Sequence, residues 1–337
     1  MGGNALKNVI TIRKNLKDYV ILKNNILSIL DKYVICKSTI EIPEKLDFGD
    51  LDIIYIQDKN INMKELIIKL FSPKEIVMNG DVISFDYENF QIDLIKCENK
   101  ESLIMYDFYL SYGDLGSIIG RIANYYGLKF GHAGLWMNLL ENTIDNKSDV
   151  NFQTTITRID LTNNPNEICE FMDLDYNLWK IGFSNKKGIM DFIIKSKYFL
   201  PEIFNNLNYD HRDRAKLRPF YKEFLEYIKI DFNSIQKASL TKSEIGINYQ
   251  KEAIICFNKE KELEEIVNKI KINKIRKEKF NGKHLIELGI NPKNINKIIQ
   301  EFKIHIENKI KINFDEFLDN NEHEFIINYF KEFSLSE

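Results

Sequence analysis

The chain has 337 residues and a formal net charge of -3, with 44% hydrophobic and 29% charged residues but only 15 Gly and 6 Pro. This balance excludes a disordered or collagen-like chain, and 47 Lys+Arg against 50 Asp+Glu excludes a uniformly basic nucleic-acid coat. The length predicts two or three domains.

Met1-Gly2-Gly3 is followed by Leu6 where an N-myristoylation site needs Ser or Thr, and no secretory apolar core follows. Apolar residues at Leu16, Tyr19, Val20, Leu22, Ile26, Leu27, Ile29 and Leu30 predict an amphipathic helix over Leu16–Tyr33. Strand-like runs follow at Tyr33–Cys36, Leu51–Ile56, Glu75–Met78, Val82–Tyr87 and Phe90–Cys97, with a helix at Met63–Phe71 between them. Asn79-Gly80-Asp81 predicts a hairpin turn, because Asn and Gly accept positive φ. Helices are expected at Ser102–Tyr109 and Leu115–Tyr126, then β-like segments from Leu128 to about Leu161, including a hairpin at Gly131–Trp136. From Lys186 the pattern is helical: Gly188–Lys195, Arg214–Ile228, Lys259–Ile272, Lys283–Leu288, Ile295–Ile306 and Phe314–Phe330. The fold class expected is α+β. A small mixed-sheet catalytic domain over 1–100 would precede a mixed connecting region over 101–230 and a helical domain over 231–337.

No apolar run approaches the roughly 18 residues that would indicate a membrane span, so no membrane partner is expected. Cys36, Cys97, Cys169 and Cys256 form no CxxC pair, which points away from zinc ribbons and disulfides and toward a reducing, cytoplasmic compartment. Walker A, GxSxG and complete HExxH motifs are absent.

The strongest chemical signal is Gly49-Asp50-Leu51-Asp52-Ile53-Ile54. Residues two apart on a strand share a face, so Asp50 and Asp52 project together while Leu51 and Ile53 point into a core. Adjacent carboxylates repel unless a cation lies between them, and Mg²⁺ favours a few carboxylates with phosphate oxygens. Asp93 sits among apolar neighbours on a second strand, where its charge needs a metal or donor. Asp86 and Glu88 are expected at a solvated turn. The chain has only seven Arg, and guanidinium is the group suited to bidentate phosphate contacts. Arg214 and Arg218 are four residues apart, which predicts one helix face and a phosphate clamp for RNA, distant from the acids. The Lys269–Lys279 run, with Arg276 and Lys277, is a second candidate RNA track.

The order of helix, Cys36-Lys37-Ser38, Asp50-Leu51-Asp52 and Asp93 resembles the DNA polymerase β nucleotidyltransferase superfamily. That family pairs a helix-end Gly-Ser or Gly-Gly element with an Asp-x-Asp strand and a third acid. Here Ser38 stands twelve positions before Asp50, with Lys37 where Gly is usual. The resemblance implies that Asp50, Asp52 and Asp93 hold two Mg²⁺ ions, Mn²⁺ being an alternative, and that Lys37 and Ser38 bind the nucleoside triphosphate (NTP). Asp114-Leu115-Gly116-Ser117-Ile118-Ile119-Gly120-Arg121-Ile122-Ala123 is similar to the nucleotide-contacting helix of CCA-adding enzymes and bacterial poly(A) polymerases, which gives Arg121 a nucleotide-binding role. Phe280-Asn281-Gly282-Lys283-His284-Leu285-Ile286-Glu287-Leu288-Gly289-Ile290, followed by Pro292, resembles an RNA-facing phrase in the tail of that branch. The function implied is transfer of a nucleoside monophosphate from NTP to an RNA 3′ end with release of pyrophosphate. Transfer to a protein or small-molecule hydroxyl, and an inactive RNA-binding module, are the alternatives.

Overall fold

The computed structural model describes residues 5–56, 60–145, 150–229, 236–237 and 244–335; Met1–Asn4 lie outside them. Two compact units are present, Met1–Asn258 and Lys259–Glu337. The fold is α+β.

In the first unit the order is β1 (Lys14–Asn15), α1 (Leu16–Leu30), β2 (Cys36–Ser38), β3 (Asp47–Phe48), β4 (Asp50–Ile56), α2 (Met63–Phe71), β5 (Ile76–Asn79), β6 (Val82–Tyr87) and β7 (Phe90–Cys97). There follow α3 (Lys100–Leu110), α4 (Leu115–Tyr125), β8 (Leu128–Gly131), β9 (Gly134–Asp145) and β10 (Val150–Thr162). The unit closes with α5 (Pro165–Met172), α6 (Tyr176–Ile181), α7 (Lys186–Ile194), β11 (Asn206–Leu207), α8 (Tyr209–Leu217), α9 (Pro219–Tyr227), β12 (Gln236–Lys237) and α10 (Glu244–Cys256).

A five-stranded mixed sheet, ordered β2-β4-β7-β6-β5, dominates the amino-terminal part. Alternation along β4 and β7 sends Leu51, Ile53, Tyr55, Phe90, Ile92 and Leu94 to one face, where they pack on Tyr19, Leu22, Ile26 and Leu30 of α1 and Met63, Ile67 and Phe71 of α2. Ile54, Ile95 and Cys97 lie on the other face, against Leu103, Tyr106 and Leu110 of α3. The sheet is thus covered on both sides, with β4 and β7 as its parallel central pair. Gly80 takes φ +57 in the two-residue turn joining β5 to β6.

The strand predicted over Tyr33–Cys36 is β2 and begins only at Cys36. α1 ends at Leu30, whose carbonyl accepts from the backbone N–H of Tyr33 and Val34, so a tight turn occupies the segment before Cys36. The helix predicted over Arg214–Ile228 is two helices, because Pro219 starts α9 and holds Arg218 extended at φ -106, ψ 111. The β8–β9 hairpin forms as expected at Gly131 and Gly134. Gly134 has φ +106, and a Cβ there would meet the Thr162 carbonyl oxygen at 2.2 Å, so β10 passes too close for any other residue.

The second unit contains α11 (Glu260–Lys279), α12 (Gly282–Glu287), α13 (Ile295–Lys309), α14 (Phe314–Asn320) and α15 (His323–Leu335) around Phe280, Leu285, Phe302, Phe317 and Phe330. The single helix predicted over Phe314–Phe330 is α14 and α15, the break marked by Asn321, whose side chain donates to the Phe317 carbonyl at 2.7 Å. Among the described residues no helix is long and apolar enough to cross a membrane.

Strand β2, three residues long at the sheet edge, is fastened to α3. Lys37 Nζ pairs with Asp107 Oδ2 at 2.5 Å, Ser111 Oγ donates to Asp107 Oδ1 at 2.9 Å, and the Ile40 N–H donates to Ser111 Oγ at 2.9 Å. Asp107 is buried, so its removal strands a buried hydroxyl and a cation. Asp107→Ala is expected to lower stability by about 2 kcal/mol, measured as the shift in the urea midpoint; an unshifted midpoint would mean that the edge strand is held by its ladder alone.

Candidate metal and phosphate site

The same alternation that builds the core places the acids. Asp50 and Asp52 share the face of Ile54, and the parallel register sets Asp52 beside Asp93 and Asp50 beside Gln91. Where α3 stops covering this face, the apolar row gives way to carboxylates. Oxygen atoms of Asp50, Asp52 and Asp93 all lie within 4.8 Å of one another, close enough to bind a metal ion.

The electrostatics of this arrangement are unfavourable without a cation. Burial, then the charges of Asp50 and Asp93 and of Glu41, push the Asp52 carboxyl up to about 8, with Lys45 opposing. Burial also raises Asp93, while hydrogen bonds from Ser84 and Gln91 act in the opposite direction. Gln91 Nε2 donates to both Asp93 oxygens, at 3.0 and 2.9 Å, and its Oε1 accepts from the Ala5 N–H at 2.9 Å. Because the backbone donor fixes the amide oxygen, the amide nitrogen must face Asp93.

A cavity of about 430 Å³ opens over Asp50 and Asp52. Its walls bring Thr39, Glu41 and Lys45 from the loop after β2 together with Asp114, Arg214 and Arg218 from the helical part. Lys45 Nζ pairs with Glu41 at 2.5 Å, and the Tyr19 hydroxyl donates to the other Glu41 oxygen at 2.5 Å. Burial, with Glu41 next, raises the Tyr19 hydroxyl far above its ordinary range, so it remains a donor. Arg214 pairs with buried Asp114 at 2.9 Å. Arg218 is exposed and has no ion pair among the described residues.

The expected site residues are distributed as follows. Asp50, Asp52 and Asp93 converge. Lys37 is paired with Asp107, and Ser38, opposite Ile53 in the ladder, lies on the far face of β2 from the acids; it is Thr39 that lines their cavity. Arg121 is buried and gives Nε and Nη2 to the Ile203 carbonyl at 3.1 and 2.7 Å, beside an adjoining cavity. Arg214 and Arg218 are not distant from the acids, as the sequence implied, but line the same cavity, and the Pro219 break leaves Arg218 in extended backbone rather than on a helix face shared with Arg214. Arg276 is held by Asp315 and Asp319 at 2.6 and 2.5 Å, while Lys277 is exposed on α11. Asp86 is buried rather than solvated, accepting from the N–H groups of Lys74 and Glu75 at 2.8 and 2.7 Å. Glu88 is at the exposed turn predicted for it, with φ 49.

Sequence reading missed Thr39, Glu41, Lys45 and Gln91, while Asp114 entered it as the head of the stretch that ends in Arg121 and Ala123. Gln91 alone carried a signal, lying two residues before Asp93 on the same strand face. A scan against protein-family models matches none, and a search of curated proteins finds no relative.

The raised Asp52 carboxyl fixes a pH dependence. Its folded pKa exceeds its unfolded value of roughly 3.9, so the folded state holds the proton more tightly, and stability contributed below about pH 4 is lost as pH rises toward 8. The Tm of metal-free protein is expected to fall across this window, Asp52→Asn to flatten that fall, and added Mg²⁺ or Mn²⁺ to raise Tm more at pH 8 than at pH 5. Differential scanning fluorimetry checks all three; a metal effect independent of pH would show that the cation binds elsewhere.

Proposed function

We propose that the chain is a metal-dependent nucleotidyltransferase, transferring a nucleoside monophosphate from NTP to a hydroxyl with release of pyrophosphate. The observation that carries this reading is a single cavity lined by Asp50 and Asp52, whose carboxylates converge with that of Asp93 on the adjacent strand, and by Arg214, Arg218 and Lys45. Carboxylates for a cation and cations for an anion, lining one cavity, match a metal-bound polyphosphate.

The donor set fits divalent metal, since three oxygen ligands share one locus and Asp52 is raised until a cation relieves it. Asp50, Asp52 and Asp93 would together hold the Mg²⁺ ions. When bound, such ions supply Lewis-acid neutralisation of phosphate charge and lower the pKa of an attacking hydroxyl. Arg218 binds phosphate oxygens of the donor. Asp93, its carboxylate held by Gln91 and Ser84, orients the acceptor hydroxyl and takes its proton. The hydroxyl oxygen then forms its bond to the α-phosphorus as the bond to pyrophosphate breaks.

An RNA 3′ end is the acceptor proposed first, supported by the basic carboxyl-terminal half of α11 and its exposed Lys277. A protein or small-molecule hydroxyl is the second reading. It is favoured by the placement of Arg214 and Arg218 beside the acids and by the pairing of Arg276 with Asp315 and Asp319, which removes three cations from any separate RNA track.

Asp50→Ala and Asp52→Ala are each expected to abolish transfer with Tm unchanged or raised, since either removes carboxylate repulsion. Asp93→Asn should lower kcat far more than NTP affinity, and Arg218→Ala should raise KM for NTP by about tenfold. Incubation with each labelled triphosphate and either total RNA or RNase-treated protein extract reads both turnover and acceptor. Undiminished turnover in an Asp50 or Asp52 variant would remove the site assignment.

A further inference from the structure

Beside the acidic cavity lies a second one of about 210 Å³, sharing Tyr109, Ser117 and Arg214 with it. Three cations from three elements line it: Arg121 of α4, Lys129 of β8 and Arg214 of α8. We propose that this cavity is an anion subsite that binds a phosphate group next to the acidic centre.

Size and charge both argue for it. Pockets for whole drug-sized ligands begin near roughly 300 Å³, so this cavity suits a compact group rather than a nucleoside. Among its described lining residues the carboxylate is that of exposed Asp210; of the three cations Arg214 is already paired with buried Asp114 at 2.9 Å, which leaves the cavity's charge to Arg121 and Lys129. Lys129 has no ion pair among the described residues, and Arg121 is held in a fixed plane by the Ile203 carbonyl. Arg121 and Lys129, like charges in one half-buried pocket, repel each other, and an anion between them would lessen that repulsion. The titrating groups record that repulsion. Burial and then Arg121 lower Lys129, while burial followed by Arg121 and Arg214 pushes His211 down to about 4. His211 is therefore neutral at pH 7, its Nδ1 3.0 Å from the Tyr221 hydroxyl. Trp136, opposite Lys129 in the β8–β9 ladder, has the Arg158 guanidinium over its ring at 4.2 Å, a rigid wall on that side.

The ligand chemistry is a phosphate or short polyphosphate, either the terminal phosphates of the donor or a phosphate carried by the acceptor. Its use as a handle beside the reacting centre rests on the nucleotidyl-transfer reading; its anion binding does not.

Calorimetric titration of the full chain with pyrophosphate in EDTA tests the subsite without the metal site. Saturable binding is expected in the wild type, weakened at least about tenfold in Lys129→Gln and restored in part by Lys129→Arg. Asp52→Asn should bind pyrophosphate as well as the wild type or better. Displacement by NTP would place the donor's phosphates there, and displacement only by a 5′-phosphorylated oligoribonucleotide, not its dephosphorylated form, would place the acceptor's. Absence of binding by the wild type, or wild-type affinity in a folded Lys129→Gln, would overturn the proposal. Intact pyrophosphate binding without transfer of any nucleotide would instead overturn the enzymatic reading and leave the subsite standing.

Discussion

Three carboxylates held within 4.8 Å of one another on two adjacent strands are the constraint around which the first unit is arranged. Their repulsion is not relieved by moving one of them, because each is locked to an apolar neighbour by strand alternation. A slip of β4 by one residue would send Leu51, Ile53 and Tyr55 out of the core as it turned Asp50 and Asp52 inward. Burial of the core therefore enforces the acidic cluster, and the cluster stores an electrostatic cost that a divalent cation would convert into affinity.

The surroundings manage that cost by graded means. Gln91 and Ser84 hold Asp93 by neutral donors, and Lys45, itself bound to Glu41, is the cation that opposes the rise at Asp52. Full neutralisation by lysine or arginine salt bridges would occupy the ligand oxygens and close the site to metal. Arg214 is instead paired with Asp114, which keeps it on the cavity wall without contacting the acids. Arg218, freed from the helix by Pro219, is the cation best placed to answer an incoming anion. The neighbouring cavity gathers Arg121, Lys129 and Arg214, the last already answered by Asp114.

Local pattern made much of the fold legible. The strands Val82–Tyr87 and Phe90–Cys97 and the helix Met63–Phe71 have the bounds that their periodicity predicts. Boundaries failed where a single residue overrode periodicity, as at Pro219 and Asn321, or where a turn followed a helix, as at Tyr33. α5 and α6 were missed because they are short and interrupted by Asp173, which takes φ 55.

The sequence by itself determined that Asp50 and Asp52 would share a strand face, that Asp93 would need a charge partner on a second strand, and that a mixed sheet would carry them, since period-two alternation and apolar burial are local properties of a strand. Only the tertiary structure decided that β4 and β7 pair in parallel with Asp52 beside Asp93, and that Thr39 rather than Ser38 faces the acids. It alone decided that Arg214 and Arg218, more than a hundred residues away in the chain, would complete the cavity. Strand pairing and the docking of a helix over a sheet are set by the packing of whole faces, and no short stretch of residues contains that information.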